Sequence, residues 1–212
     1  MKIDVAYPHA AAMTHLAAAD ARMAALIERA GPCRLGLLAV GAFSKQAMLT
    51  ALVESIVSQQ LSPRAADTIF ARVRALVEGD LTPDGVLALP EERLRGAGLS
   101  GAKTKSIRDL CDHVRRGALA LDQLTAMDDE AVIAALTQVR GIGRWTAEMV
   151  LIFQLGRADV LPVGDLGVQK GFVRFFGLRK LPPPDRMVKL ARPFRPYRSV
   201  ASWYMWRINE EK

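Results

Sequence analysis

Cysteine is scarce in this chain: Cys33 and Cys111 are the only two among 212 residues, and the three histidines, His9, His15 and His113, are scattered. Neither set has the spacing of a zinc knuckle or a four-cysteine cluster, which excludes a structural metal and leaves the thiols as core or surface residues. Long hydrophobic runs are missing too. No stretch approaches the ~20 apolar residues of a membrane span, and the N-terminus lacks the basic-then-apolar pattern of an export signal. A cytoplasmic protein is expected. Strand-like alternation is almost absent, and no internal repeat or low-complexity tract stands out. Aromatic residues make up 6% of the chain, so each of the three tryptophans invites a question about its task.

What is present is a chain of 50% hydrophobic content, enough for a well-buried core in one large domain or two small lobes. Alanine-rich stretches with apolar residues three and four apart predict an all-α fold. Helices are expected over Ala10 to Ala30, ending at Gly31-Pro32, and over Ser44 to Gln59. Ser62 followed by Pro63 is a cap and first-turn proline that starts a helix through Leu76. Shorter signals place helices from Pro90 to Gly96, from Lys103 to Arg115 behind Ser100, and from Asp128 to Gln138. Trp145 to Leu155, Leu166 to Phe176 and Ser199 to Ile208 complete the set, with Gly177 to Pro184 as the long connection.

Between the helices ending at Gln138 and starting at Trp145 lies a tight hairpin in which Gly141 and Gly143 flank Ile142, and Asp165 follows 22 residues after the second glycine. Backbone N–H groups in such a turn can face an anion, as helix starts and backbone nests do. The net charge of +7 is uneven: residues 1–139 carry 15 basic and 16 acidic side chains, residues 140–212 carry 14 and 6. The basic excess shares the hairpin's third of the chain, as a phosphate-meeting surface requires, although a high isoelectric point is common in soluble proteins. A carboxylate beside a polyanion needs a reason.

Val139 to Ala147 (VRGIGRWTA) followed by Asp165 resembles the helix-hairpin-helix DNA glycosylase superfamily, whose hairpin reads L-P-G-(V/I)-G-x-x-T-A with an aspartate about twenty residues on. The strongest likeness is to its 3-methyladenine DNA glycosylase II, or alkylbase, branch. That likeness extends through LVESIVSQQLSPRAA (residues 52–66), GLSGAKTKSIRD (98–109), LPVGDLGVQKG (161–171) and PYRSVASWYMWR (196–207). The resemblance implies two helical lobes with a cleft between them. One lobe comprises about residues 1–45 and 178–212, the other about 46–177, with no N-terminal β domain. It implies no required cofactor. The C-terminal iron–sulfur loop of some members is excluded, because residues 182–212 hold no cysteine, and a monovalent cation at hairpin carbonyls is allowed. The implied partner is double-stranded DNA with damaged bases, met by a monomer at the nucleoid.

The resemblance also distributes tasks. Arg140, Gly141, Ile142, Gly143, Arg144, Thr146 and Lys170 would meet the DNA backbone, with Arg174 beside them. Arg140 stands where the family usually has proline, and either loosens the turn or adds a phosphate contact; the charged members could equally be solvated surface. Gln60 would be the wedge that fills the gap left by a turned-out nucleotide, with Gln59 and Leu61 beside it. The plain alternative is that glutamines at a helix end bond exposed carbonyls. Trp145 and Trp206 would line the base pocket. Met149 occupies a position where an aromatic is usual, and Trp203 is read as core. Asp165 would stabilise positive charge on the deoxyribose, and could also cap the helix starting at Leu166. Asp159 and Asp185 lack the Leu-Gly-Val sequence that follows Asp165. Lyase chemistry needs a lysine amine where this chain has Trp145. The expected activity is therefore hydrolytic release of alkylated purines of the 3-methyladenine and 7-methylguanine type, leaving an abasic site. The competitors are a DNA-binding module without catalysis and a glycosylase with lyase activity.

Overall fold

The computed structural model describes residues 9–36 and 44–210. Among them every regular element is helical, as the apolar spacing requires. The helices are α1 (His9–Ala19), α2 (Ala21–Ala30), α3 (Lys45–Ser58), α4 (Pro63–Arg74), α5 (Pro83–Ala88), α6 (Glu91–Gly96), α7 (Gly101–Arg115), α8 (Asp129–Thr137), α9 (Arg144–Phe153), α10 (Leu166–Phe176), α11 (Pro184–Leu190) and α12 (Arg198–Arg207). No helix among these residues is long and apolar enough to cross a membrane. They form two compact units, one of residues 44–147 and one of residues 9–36 with 148–210. The sequence expectation put the boundary near 177. Residues 148–177 instead join the terminal segments, because α10 packs along α12.

Capping explains most helix starts in the 44–147 unit. Ser44, Ser62, Thr82, Ser100 and Asp128 each accept a backbone N–H from the first turn with the side-chain oxygen, satisfying one of the donors that a helix start leaves unpaired. α3 buries Met48, Leu49, Leu52, Val53, Ile56 and Val57, and packs against α4 and α7. α7 turns Ile107, Leu110, Cys111 and Val114 into the same core. Burial pushes the Cys111 thiol up to about 12 and that of Cys33, in the other unit, up to about 11, so both are packing residues with little thiolate character.

The 9–36 and 148–210 unit corrects the expected single helix over 10–30. Asp20 adopts an extended backbone (φ −155°, ψ 122°) and accepts the Arg22 N–H, ending α1 and capping α2. Helical spacing continues across it, which is why periodicity alone hid the break. α12 is anchored at its start: Arg198 Nε and Nη2 donate to the Asp159 carboxylate at 2.6 and 2.9 Å. Ser199 Oγ accepts the Val160 N–H at 2.9 Å and donates to the Arg157 carbonyl at 2.6 Å. These bonds fix the segment leading to Asp165. Trp203, expected in the core, is half-buried with the Arg207 guanidinium 5.4 Å above its ring, because α12 turns that side away from α10. Asp159 is structural, held by Arg198.

α10 and α12 approach so closely that a Cβ at Gly171 would overlap the Met205 carbonyl oxygen. Backbone cannot swing aside as a flexible side chain can. Gly171→Ala should therefore force the helices apart and cost ~1–3 kcal/mol, read as a fall in the melting temperature of roughly 2–4 °C per kcal/mol. An unchanged melting curve would show that the contact is not a tight one.

Candidate active site

The hairpin joins α8 to α9. Gly141 has φ +79°, a region glycine enters without penalty, and a Cβ there would sit 2.5 Å from Ser106 Oγ on α7. Two constraints thus require glycine at 141. Arg140 N donates to Asp109 Oδ2 at 2.8 Å, and Ile142 is buried with its N–H on the Val139 carbonyl. Thr146 is buried as well, so the exposed hairpin surface is made by Arg140, Gly141, Gly143, Arg144 and Trp145. Both buried side chains, Ile142 and Thr146, support the turn from within, and a grip made by main-chain amides needs neither of them at the surface. Arg144 bonds Glu130 with two nitrogens, at 3.1 and 2.5 Å, and holds that carboxyl below the usual carboxylate range. The first backbone bond of α9 is that of Ala147 N to the Gly143 carbonyl at 3.1 Å, so the helix start directs its amides toward the hairpin surface.

A second turn lies in the same unit. Gln59 ends α3, and Gln60 has φ +57°, the one positive value at a non-glycine among the described residues. Such a backbone costs ~1–3 kcal/mol and clusters at functional positions. Gln60 and Leu61 are exposed. Gln59 does what a helix-end glutamine plainly does, its Nε2 donating to the Gly141 carbonyl at 2.9 Å. Lys103 Nζ donates to the carbonyls of Val57 and Gln59, both at 2.7 Å. Burial lowers the Lys103 pKa from the ordinary lysine value.

In the other unit Asp165 caps α10. Its Oδ1 accepts the Val168 N–H at 2.7 Å and the Trp206 Nε1–H at 2.8 Å, and the residue is 9% exposed. The N-cap role and a place beside an aromatic surface coexist. Trp206 stacks on Phe153 with ring centres 5.7 Å apart and planes 21° from parallel, and Phe153 is 40% exposed. Phe153 went unnoticed in the sequence. The signal was there, since it lies four residues past Met149 and eight past Trp145 on α9. Room for the indole comes from Gly167, where a Cβ would be 2.8 Å from Trp206 Cδ1 and 3.0 Å from Asp165 Oδ1.

Lys170 is exposed one turn along α10. It borders an open groove with Lys180, Leu181 and Asn209. Arg174 is tied to the Ile208 carbonyl by Nη1 at 2.8 Å, joining α10 to the end of α12. Asp185 is exposed in the first turn of α11. Among the described residues, no group of three or more histidine, cysteine, aspartate or glutamate side chains could hold a metal ion.

A glycine hairpin presenting amides, an all-helical scaffold and a capped carboxylate against an indole define a helix-hairpin-helix protein of the DNA-repair type. The chain belongs to the HhH-GPD superfamily of base excision DNA repair proteins, whose pattern matches residues 53–196. It is similar to DNA-3-methyladenine glycosylase 1 of Schizosaccharomyces pombe, 33% identical over 162 residues that span 75% of this chain and 71% of that protein. It is also similar to the alkylbase DNA glycosidase-like protein mag2 of the same organism, 29% identical over 198 residues, 92% and 91% of the two chains. Among solved structures, a DNA-3-methyladenine glycosidase from Bacillus halodurans superimposes with a TM-score of 0.81 at 35% identity, covering 100% of this chain and 95% of that one. The S. pombe 3-methyladenine DNA glycosylase Mag1 in complex with abasic DNA gives 0.77 at 29% identity, covering 94% and 96%.

If Gly167 makes the room for the indole, Gly167→Ala should break the bond between Trp206 and Asp165. The Trp206 Nε1 proton resonance, held downfield by the carboxylate, should then move upfield. A resonance that stays in place would mean that the indole does not depend on the gap.

Proposed function

We propose that this chain is a monofunctional DNA glycosylase that turns alkylated purines out of duplex DNA and hydrolyses their N-glycosidic bonds, leaving an intact abasic site. The observation that carries the reading is the Asp165 carboxylate, nearly buried, with two N–H donors on one oxygen and an aromatic stack beside it. A helix cap alone explains the Val168 bond. It does not explain an indole donor and an exposed phenyl ring.

Each step then has an agent. The hairpin surface from Arg140 to Trp145 would take backbone phosphate without reading sequence, and the exposed Lys170 on α10 would be a further phosphate contact. A monovalent cation at the hairpin, as the resemblance allows, would share carbonyls already in use: Val139 O accepts Ile142 N and Gly141 O accepts Gln59. Each such oxygen keeps a second lone pair, so the residues fit a cation, which would add one positive charge against the phosphate. Gln60 would fill the space left by the turned-out nucleotide, whose unstacking costs a few kcal/mol and less for a damaged base.

A methylated purine carries positive charge and gains ~0.5–2 kcal/mol over an electron-rich ring. Trp206 and Phe153, stacked on one another, offer such faces, and the exposed Trp145 at the start of α9 offers another. As the C1′–N bond breaks, its electron pair leaves with the neutral base and positive charge builds on the sugar. Asp165 would stabilise that charge where it develops. Water adds its oxygen to C1′, and its proton passes to the carboxylate. Trp206 and the α10 amide would hold the carboxylate still for both events. Trp145 cannot supply the amine that strand cleavage by β-elimination needs. The enzyme would work as a monomer in the cytoplasm, on the nucleoid, without a required cofactor.

Duplex DNA with radiolabelled 7-methylguanine tests the assignment. Asp165→Asn, which keeps the shape and still caps the helix, should slow base release by ~10²–10³-fold. Release at the wild-type rate would remove Asp165 from the chemistry. Strand scission without added alkali or heat, trapped by borohydride, would overturn the claim of hydrolysis alone.

A further inference from the structure

We propose that one face of α7, the row Lys103, Ser106 and Asp109, is a positioning element that holds the wedge turn and the phosphate-gripping hairpin at a fixed spacing. The proposal rests on the reading of Gln60 as the wedge. The three residues are spaced by three along the helix and so share a face. Each meets a different part of the DNA-facing apparatus. Lys103 Nζ bonds the carbonyls of Val57 and Gln59, directly before the wedge. Ser106 Oγ lies where a side chain at Gly141 would be. Asp109 Oδ2 accepts the Arg140 N–H. The Gln59 amide closes the loop by bonding the Gly141 carbonyl directly.

The strained backbone of Gln60 gives this network its purpose. A glutamine in the left-handed region persists only where its surroundings over-determine it. Here the residue before it is held by its carbonyl through Lys103 and by its side chain through the hairpin. The residue after it is tied by Leu61 N to the Ser58 carbonyl at 3.2 Å, and α4 starts at once with Ser62 and Pro63. A cation on the last carbonyls of α3 also answers the negative end of that helix. Gripping a phosphate with residues 140–145 thus delivers Gln60 to a set distance along the strand, already in the shape it needs.

The test uses two oligonucleotides carrying 7-methylguanine, one fully paired and one with the lesion in a small mismatched bubble that is already unstacked. A 2-aminopurine next to the lesion reports unstacking by fluorescence, independently of base release. Lys103→Met should lower the paired-to-bubble rate ratio about tenfold and reduce the fluorescence rise on paired DNA. Lys103→Arg should restore both. Gln59→Leu should lower the ratio in the same way and keeps the test intact if Lys103→Met fails to fold, which melting curves will show. Gln60→Ala should lower the ratio, and Lys103→Met added to it should lower it no further.

Equal slowing of both substrates by Lys103→Met and Gln59→Leu, or no change of ratio while Gln60→Ala lowers it, overturns the positioning role. A ratio untouched by Gln60→Ala overturns the wedge reading beneath it, and the two failures are told apart by that variant.

Discussion

The carboxylate site depends on how closely α10 and α12 can approach. Glycine at 171 lets the α12 backbone meet α10 directly, and glycine at 167 leaves the volume into which the Trp206 indole settles. Only because both side chains are absent can Nε1 reach Asp165 Oδ1 at 2.8 Å. The opposite end of the arrangement is pinned by Arg198 and Ser199 on residues 157–160, so the chain enters the Asp165 cap from a fixed direction. A polar contact of modest energy is thereby given one geometry by packing that is expensive to disturb.

The last third of the chain carries most of the basic excess, yet much of that charge is occupied within the protein. Arg144 bonds Glu130, Arg198 bonds Asp159, Arg207 bonds Glu210, and Arg174 is tied to a carbonyl. A count of basic residues measured in sequence therefore overstates the surface offered to phosphate. Exposure separates the cations that remain, among them Arg140 on the hairpin and, in the other unit, Lys170 on α10.

Much of the fold was legible from the chain because helix starts carry local chemistry: Ser44, Ser62, Ser100 and Asp128 act as caps where they stand. The features missed depend on competing or distant causes. Asp20 breaks a helix whose apolar spacing runs on undisturbed. α5 and α11, at six and seven residues, are too short for periodicity to reveal, although Thr82-Pro83 and Pro183-Pro184 mark their starts. At the site, the hairpin and Asp165 could be found by spacing, whereas the partners that orient them lie far along the chain: Trp206 is 41 residues from Asp165 and Gln59 is 82 from Gly141. No local pattern encodes such a pairing, and Phe153 gains meaning only when Trp206 is seen against it.

Gln60 has a backbone that asparagine or glycine would tolerate with less strain. A glycine there would relax the turn and steady the folded state, at the loss of the only part of the residue that extends outward. Under the proposed wedge role, thermal robustness and performance pull in opposite directions at this position, and a search for hardier variants of this chain would be drawn to it first.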